Sequence, residues 1–184
     1  MRHFGKITFL FRANTIDPAP TRPWLLVLIL FALALRAAFC LSRPVDESAM
    51  FRSLPDQREY LELGRNLLEK GRLSMIDSRF GDEVRAFRTP GYPLFVAMCG
   101  GSVRAVQMAQ CAIDASTVLA VFWLARRWMG YWRSFLAATF VALNPFLVYF
   151  CSCVLTESTF VAMLAWGTAL FAWSGAIGPN ASRR

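Results

Sequence analysis

The stretch WLLVLILFALALRAAFCL, which runs from Trp24 to Leu41, decides the fold class because Arg36 is its only charged residue. A membrane-spanning helix requires about 20 predominantly apolar residues. Three further apolar runs follow at residues 105–124, 134–150 and 156–173. With 56% hydrophobic residues, the chain is far too apolar for a soluble domain of its length. The sequence therefore predicts an all-α integral membrane protein with about four transmembrane helices.

The first apolar run has two interpretations, because a basic segment at residues 1–23 precedes it as in a secretory signal. Its apolar core is longer than the about 7 to 15 residues of a signal peptide, and no small-x-small cleavage site follows Cys40. We expect an uncleaved anchor, with a cleaved signal as the alternative.

The formal net charge of +8 would favour a nucleic-acid partner in a soluble protein. In a membrane protein it fits the positive-inside rule, by which Lys and Arg accumulate in short cytoplasmic segments. Such segments are the tail at 1–23, the turn with Arg126, Arg127 and Arg133, and the tail at 175–184. Residues 43–88 instead hold nine basic and nine acidic residues. We therefore expect no nucleic-acid partner, both termini in the cytoplasm, and an exterior loop at 42–93 outside a plasma (bacterial inner) membrane.

The five cysteines lie in or beside the apolar runs, at Cys40, Cys99, Cys111, Cys151 and Cys153. Their spacing fits neither a disulfide framework nor a metal site, and their odd number argues against full pairing. We expect small buried hydrophobic side chains and no metal ion. The sequence gives no indication of a cofactor.

The exterior loop begins with an amphipathic helix. Asp56 followed by Glu59 has the capping-box spacing, and Gly71 supplies a left-handed stop after Lys70. Tyr60, Leu63 and Leu67 form an apolar stripe that suits a helix on the membrane surface. Residues 72–87 lack sustained periodicity, and the turn signal at Gly81-Asp82 predicts a loop or a short hairpin.

The hexapeptide Arg88-Thr89-Pro90-Gly91-Tyr92-Pro93 closes the loop. Its two prolines predict an extended backbone at Thr89 and Tyr92, which would hold Arg88 at a fixed corner. Residues 94–98 predict a short surface helix that Gly100-Gly101 ends.

Asp56 and Arg88 are the candidate reactive residues of the loop. The capping role alone is sufficient to explain Asp56, but a carboxylate at a helix start can also accept a proton from a hydroxyl nucleophile. Arg88 can bind a phosphate through two parallel hydrogen bonds. Together they would form a reaction site at the membrane surface.

Charged residues inside apolar runs are costly and are functional candidates by default. The long aliphatic side chain of Arg36 can extend along the span so that its guanidinium reaches the membrane surface, or the guanidinium can bind a phosphate. Asp114, four residues after Gln110, fits a structural hydrogen bond between helices or a partnership with Arg36 better than catalysis. Glu157 starts the fourth run, where the helix dipole favours an acid.

The order and spacing of these motifs resemble the N-terminal part of the GT-C class of polytopic glycosyltransferases, in the protein O-mannosyltransferase and lipid A aminoarabinose transferase-like group. The resemblance extends from Arg36 to about Ala172. Its elements after Arg36 are Asp56-x-x-Glu59-Tyr60-Leu61-x-Leu63-x-x-Asn66-Leu67, Gly71-Arg72-Leu73-Ser74, Arg88-Thr89-Pro90-Gly91-Tyr92-Pro93-Leu94-Phe95, Gln110-x-x-x-Asp114, Leu124-Ala125-Arg126-Arg127, Asn144-Pro145 and Leu155-Thr156-Glu157.

This resemblance implies transfer of a sugar from a polyprenyl-phosphate donor to an acceptor at the outer membrane face, with inversion at the anomeric carbon. The acid of the first exterior loop lies at the catalytic centre of such enzymes, and it corresponds to Asp56. The substrate-binding residues are then expected to be Arg88 and Arg36 at the phosphate, with Glu59, Tyr60 and Glu157 lining the site.

The chain departs from the family in two respects. Many relatives have an Asp-Glu pair where Gln57 follows Asp56 here, and they have many more than four spans. We therefore expect residues 24–174 to form a truncated GT-C-like membrane module that is incomplete as a single chain, and a further membrane subunit is a candidate partner. The alternative is a non-enzymatic or degenerate polytopic membrane protein or subunit. A transporter half would require more charges near the middle of the spans than Arg36 and Asp114.

Overall fold

Eight helices and one hairpin make up most of the described residues, which are 23–77, 80–85 and 88–174 of a computed structural model. In chain order they are α1 (Pro23–Leu41), α2 (Glu47–Ser53), α3 (Asp56–Lys70), β1 (Ser74–Ile76), β2 (Glu83–Arg85), α4 (Gly91–Met98), α5 (Val103–Arg126), α6 (Tyr131–Ala142), α7 (Pro145–Phe150) and α8 (Glu157–Trp173). The predominantly helical fold class is confirmed. Of the tail predicted at 1–23, residues 1–22 lie outside the described residues and Pro23 begins α1, and the tail predicted at 175–184 also lies outside them.

Two helices, α1 with 19 residues and α5 with 24, are long and apolar enough to cross a membrane by length and composition. They coincide with the first and second apolar runs. The fourth run forms α8, which has 17 residues. The third run is not one helix, because α6 ends at Ala142 and α7 begins at Pro145. Pro145 lacks an N–H and its ring crowds the preceding turn, so the kink predicted at Asn144-Pro145 is a complete break.

The chain divides into two units. The site unit comprises Leu33–Asp114 and Pro145–Phe160, and it contains the exterior loop. The second unit comprises the chain up to Ala32, Ala115–Asn144 and the chain from Val161 onward. The core of the site unit consists of Tyr60, Leu61, Tyr92, Val96, Val103, Val106, Cys153, Val154 and Leu155.

Helix α3 packs its apolar face on α4, so this face is covered by protein. The two helices meet at Gly64, where a Cβ atom would lie 2.5 Å from Val96 Cγ1 and 3.0 Å from the Pro93 carbonyl oxygen. Only a glycine permits this approach. At the other end of α3, Gly71 adopts φ 65° and ends the helix as predicted.

The loop after α3 is the short antiparallel hairpin that the sequence allowed, with Met75 opposite Val84 and Gly81 at φ 74° in the turn. The prediction of an extended backbone at Tyr92 is wrong, because α4 already begins at Gly91 and includes Tyr92 and Pro93. Proline is tolerated in a first helical turn, where an N–H has no helical acceptor. The glycine break after α4 is confirmed, with Gly100 and Gly101 both at positive φ.

We predict that Gly64→Ala lowers the free energy of unfolding by about 1–3 kcal/mol, the usual cost of overpacking, although alanine is the better helix former. Thermal unfolding of the detergent-solubilised chain, followed by circular dichroism, measures this change. Gly167→Ala in α8 is the matched control, because nothing lies within 4 Å of the added methyl group. Equal effects of the two substitutions would contradict the close contact.

Candidate functional site

The carboxylate of Asp56 does not cap α3. Pro55 occupies the N-cap position, and no side chain makes a capping hydrogen bond there. Asp56 is instead the first residue of the helix, and its Oδ1 accepts a hydrogen bond of 2.7 Å from Nη2 of Arg88. The predicted capping box is therefore wrong, since a charged partner from the end of the loop binds this carboxylate.

Arg88 also binds Glu59, one turn further along α3. Its Nε and Nη2 lie 2.7 and 2.6 Å from Oε2 of Glu59. The guanidinium carbon lies 5.4 Å from the centroid of the Tyr60 ring, within the range of a cation–π contact. Residues three and four apart share one face of a helix, which is why Asp56, Glu59 and Tyr60 meet Arg88 together. These four residues are called the Arg88 cluster below.

The two carboxylates of the cluster differ in exposure. The side chain of Asp56 is 54% exposed, whereas those of Glu59 and Arg88 are 22% and 29% exposed. Burial lowers the pKa of Arg88, but the hydrogen bond to Glu59 and the charges of Glu59 and Asp56 outweigh it and raise the pKa above its ordinary value. Arg88 therefore stays charged, and the cluster carries one formal negative charge in excess. Asp56 is the carboxylate that an external hydroxyl group can reach.

This charge balance bears on the predicted phosphate-binding role of Arg88. A phosphate at Arg88 would have to compete with two carboxylates already bound at short range. The geometry fits Arg88 better as the group that orients Asp56. Its role as a phosphate ligand stays a prediction.

An open cavity of about 260 Å³ adjoins the cluster, with Glu59 in its wall. Its other lining residues are Phe51, Arg52, Pro55, Arg58, Met75 and Ile76. Arg52 and Arg58 are exposed and give this cavity two positive charges, although Arg58 also lies 3.7 Å from Glu62. The sequence analysis missed both arginines, because no spacing in the sequence shows that Arg52 of α2 and Arg58 of α3 line one cavity.

Two buried polar side chains, Tyr92 and Gln110, support the Arg88 cluster. The rings of Tyr60 and Tyr92 pack edge to face, with their centroids 4.9 Å apart. The Tyr92 hydroxyl donates a hydrogen bond to Oε1 of Gln110. Nε2 of Gln110 donates in turn to the Cys153 carbonyl at 2.8 Å. Burial raises the pKa of Tyr92 far above its usual value, so this hydroxyl keeps its proton and acts as a donor. The sequence analysis assigned no role to Tyr92 or Gln110.

Gln57, the second residue of α3, has a structural role. It is buried, and its Oε1 accepts a 2.8 Å hydrogen bond from the Val154 N–H. Its Nε2 donates to the Met50 carbonyl at 3.1 Å. A carboxylate here would lose the donor, and the second acid of the site lies at Glu59 instead.

Two of the predicted binding residues lie apart from the Arg88 cluster. Arg36 is fully buried, and its Nε lies 2.5 Å from Oδ2 of Asp114, the partnership that the sequence offered as an alternative. A phosphate could meet Arg36 only if this ion pair opened. Glu157 is exposed at the start of α8, and its charge adds to burial in raising the pKa of Tyr92. Binding roles for Arg36 and Glu157 stay predictions.

The cysteines are free thiols, and four of them, Cys40, Cys111, Cys151 and Cys153, are buried as expected. Among the described residues, no group of three His, Cys, Asp or Glu side chains could hold a metal ion. Comparison with protein families, curated proteins and solved structures finds no match to this chain.

We predict that Arg88 is coupled more strongly to Glu59 than to Asp56, because Glu59 receives two donors and is the less exposed acid. A double-mutant cycle of Arg88→Gln with Glu59→Gln should give a coupling energy of about 1–2 kcal/mol in thermal unfolding, and the cycle with Asp56→Asn less than about 1 kcal/mol. Arg85→Gln is the control, since Arg85 is exposed and lies 3.8 Å from Glu83. An Arg88→Gln variant as stable as Arg85→Gln would contradict the cluster.

Proposed function

We propose that this chain is the membrane module of a GT-C-type glycosyltransferase, which transfers a sugar from a polyprenyl-phosphate donor to an acceptor hydroxyl at the outer membrane face. The observation that carries the proposal is the half-exposed carboxylate of Asp56, held by Arg88 beside an open cationic cavity. The order of motifs from Arg36 to about Ala172 supports the same class.

Asp56 is the proposed general base. It accepts the acceptor's hydroxyl proton while the acceptor oxygen forms a bond to the anomeric carbon, and the bond from that carbon to the phosphate oxygen breaks. Polyprenyl phosphate leaves with the bonding electron pair, and attack from the opposite face inverts the anomeric carbon. The protein's task is mainly to place the two substrates and to stabilise the departing charge.

Arg52 and Arg58 are the proposed phosphate ligands, in addition to Arg88 and Arg36 from the sequence. Both line the cavity next to Glu59, and neither is bound by two carboxylates as Arg88 is. Glu59 and Tyr60 hold Arg88 in place, and Glu59 also reaches the cavity wall.

The proposed topology has four membrane crossings, made by α1, α5, the broken pair α6 and α7, and α8. Helices α1 and α5 support it by their length and composition. A break such as that before Pro145 is tolerated in a membrane when neighbouring groups satisfy the freed backbone. The basic residues at 126, 127 and 133 favour the cytoplasm for the turn after α5, which supports the proposal that the exterior loop at 42–93 lies outside.

The second candidate is a non-enzymatic membrane protein or subunit. The observation in its favour is that Arg88 already binds both carboxylates, which is sufficient to explain these residues as a clamp between α3 and the start of α4.

An activity assay separates the two candidates. It measures how fast membranes that contain the chain and its host's acceptors release polyprenyl phosphate from short-chain polyprenyl-phosphate hexoses. We predict that Asp56→Asn lowers the rate of release by about 10²–10⁴-fold, the usual contribution of a general base. Asp82→Asn makes the same charge change in the exposed hairpin turn and should keep the rate. Membranes without activity above the host background, or equal rates for the two variants, would favour the clamp.

A further inference from the structure

A second open cavity lies at the last turns of α5 and α8, wholly within the second unit. Its volume is about 180 Å³, several times the roughly 30 Å³ that one water molecule occupies in the liquid. Its lining residues are Trp123, Arg126, Arg127, Ala169 and Trp173. This Trp–Arg pocket shares no lining residue with the Arg88 cluster and has no part in the proposed transfer.

The aromatic wall of the Trp–Arg pocket is fixed by packing. The Trp123 ring packs edge to face against two other indoles. Its centroid lies 5.6 Å from that of Trp166 and 5.2 Å from that of Trp173. Trp166 is itself held by a 2.9 Å hydrogen bond from its Nε1 to Oγ of Ser116. Two indoles, Trp123 and Trp173, therefore form a preformed wall of the pocket, and Trp166 packs against Trp123.

The charged side chains in the described part of this unit have one sign. Across residues 23–32, 115–144 and 161–174, the charged side chains are Arg126, Arg127 and Arg133, with no carboxylate among them. Arg126 uses one guanidinium N–H for a 3.3 Å bond to the Met129 carbonyl, and a guanidinium has five N–H donors. Two guanidinium groups at one cavity favour an anion with several acceptor oxygens, which describes a phosphate group.

The surroundings of the pocket select the kind of phosphate. Arg126 ends the 24-residue apolar helix α5, and Trp173 ends α8 and is 61% exposed. Leu170 and Phe171, on the last turns of α8, are also exposed apolar side chains. Tryptophan prefers the level of the lipid headgroups, and basic pockets between membrane helices bind anionic headgroups. An acyl chain can cover the apolar side chains, which a free phosphate ion would leave bare.

We propose that the Trp–Arg pocket binds the phosphodiester headgroup of an anionic phospholipid. Arg126 and Arg127 bind its phosphate oxygens, Trp123 and Trp173 flank the headgroup, and the acyl chains lie along α8. The two positive charges disfavour a zwitterionic headgroup, whose own cation they repel. The proposal rests on the membrane assignment of α5 and α8, and it is independent of glycosyl transfer.

The test uses the full chain purified in detergent, with phosphatidylglycerol and phosphatidylcholine as competing probes in native mass spectrometry. We expect phosphatidylglycerol to bind at least about tenfold more tightly, and the double variant Arg126→Gln/Arg127→Gln to lose this preference. Arg133→Gln removes a charge of the same sign outside the pocket and should change the preference less than twofold. Arg126→Lys/Arg127→Lys keeps the charge and should retain most of it, which guards against loss by misfolding.

Three results would overturn the proposal. If Arg133→Gln reduces the preference as much as the double variant, the effect is a diffuse attraction to the basic turn. If inorganic phosphate at equal concentration displaces phosphatidylglycerol, the site takes a free anion. If the chain is not retained in phosphatidylcholine vesicles after an alkaline wash, the membrane assignment fails and the lipid site fails with it.

Discussion

The guanidinium of Arg88 joins the first turn of α3 to the segment that begins α4, and the arrangement of the candidate site depends on this ion pair. It draws Asp56 and Glu59 toward one centre and lies against the Tyr60 ring. The contact of Gly64 with Val96 brings the two helices close enough for it to form. Tyr92 and Gln110 connect the Arg88 cluster to the turn before α8 through hydrogen bonds. These contacts thereby join the first turn of α3 to the end of the exterior loop.

Much of the secondary structure was predictable from short-range rules. Gly71 ends α3, Gly81 forms the hairpin turn, and Gly100-Gly101 separates α4 from α5, because each adopts a backbone conformation that glycine alone adopts readily. The break before Pro145 follows from its missing N–H. These features depend on one or two residues and their immediate neighbours.

The errors arose where a distant residue decided the outcome. The capping box at Asp56 and Glu59 was a sound local prediction, but Arg88, 32 residues after Asp56, offers both carboxylates a charged partner. Tyr92 was expected to be extended, yet Pro90 is the N-cap of α4 and Pro93 lies in its first turn, where proline is tolerated. The arginines at 52 and 58 escaped notice because only the folded chain shows that they line a common cavity.

The central claim is that Arg88 orients Asp56 toward a substrate. The most direct test is a structure of the chain with a bound short-chain polyprenyl-phosphate hexose. The account predicts the phosphate beside Arg52 and Arg58, with the anomeric carbon placed so that an attacking hydroxyl lies about 3 Å from a carboxylate oxygen of Asp56. A ligand bound elsewhere in the site unit, with Asp56 turned only toward Arg88, would contradict it.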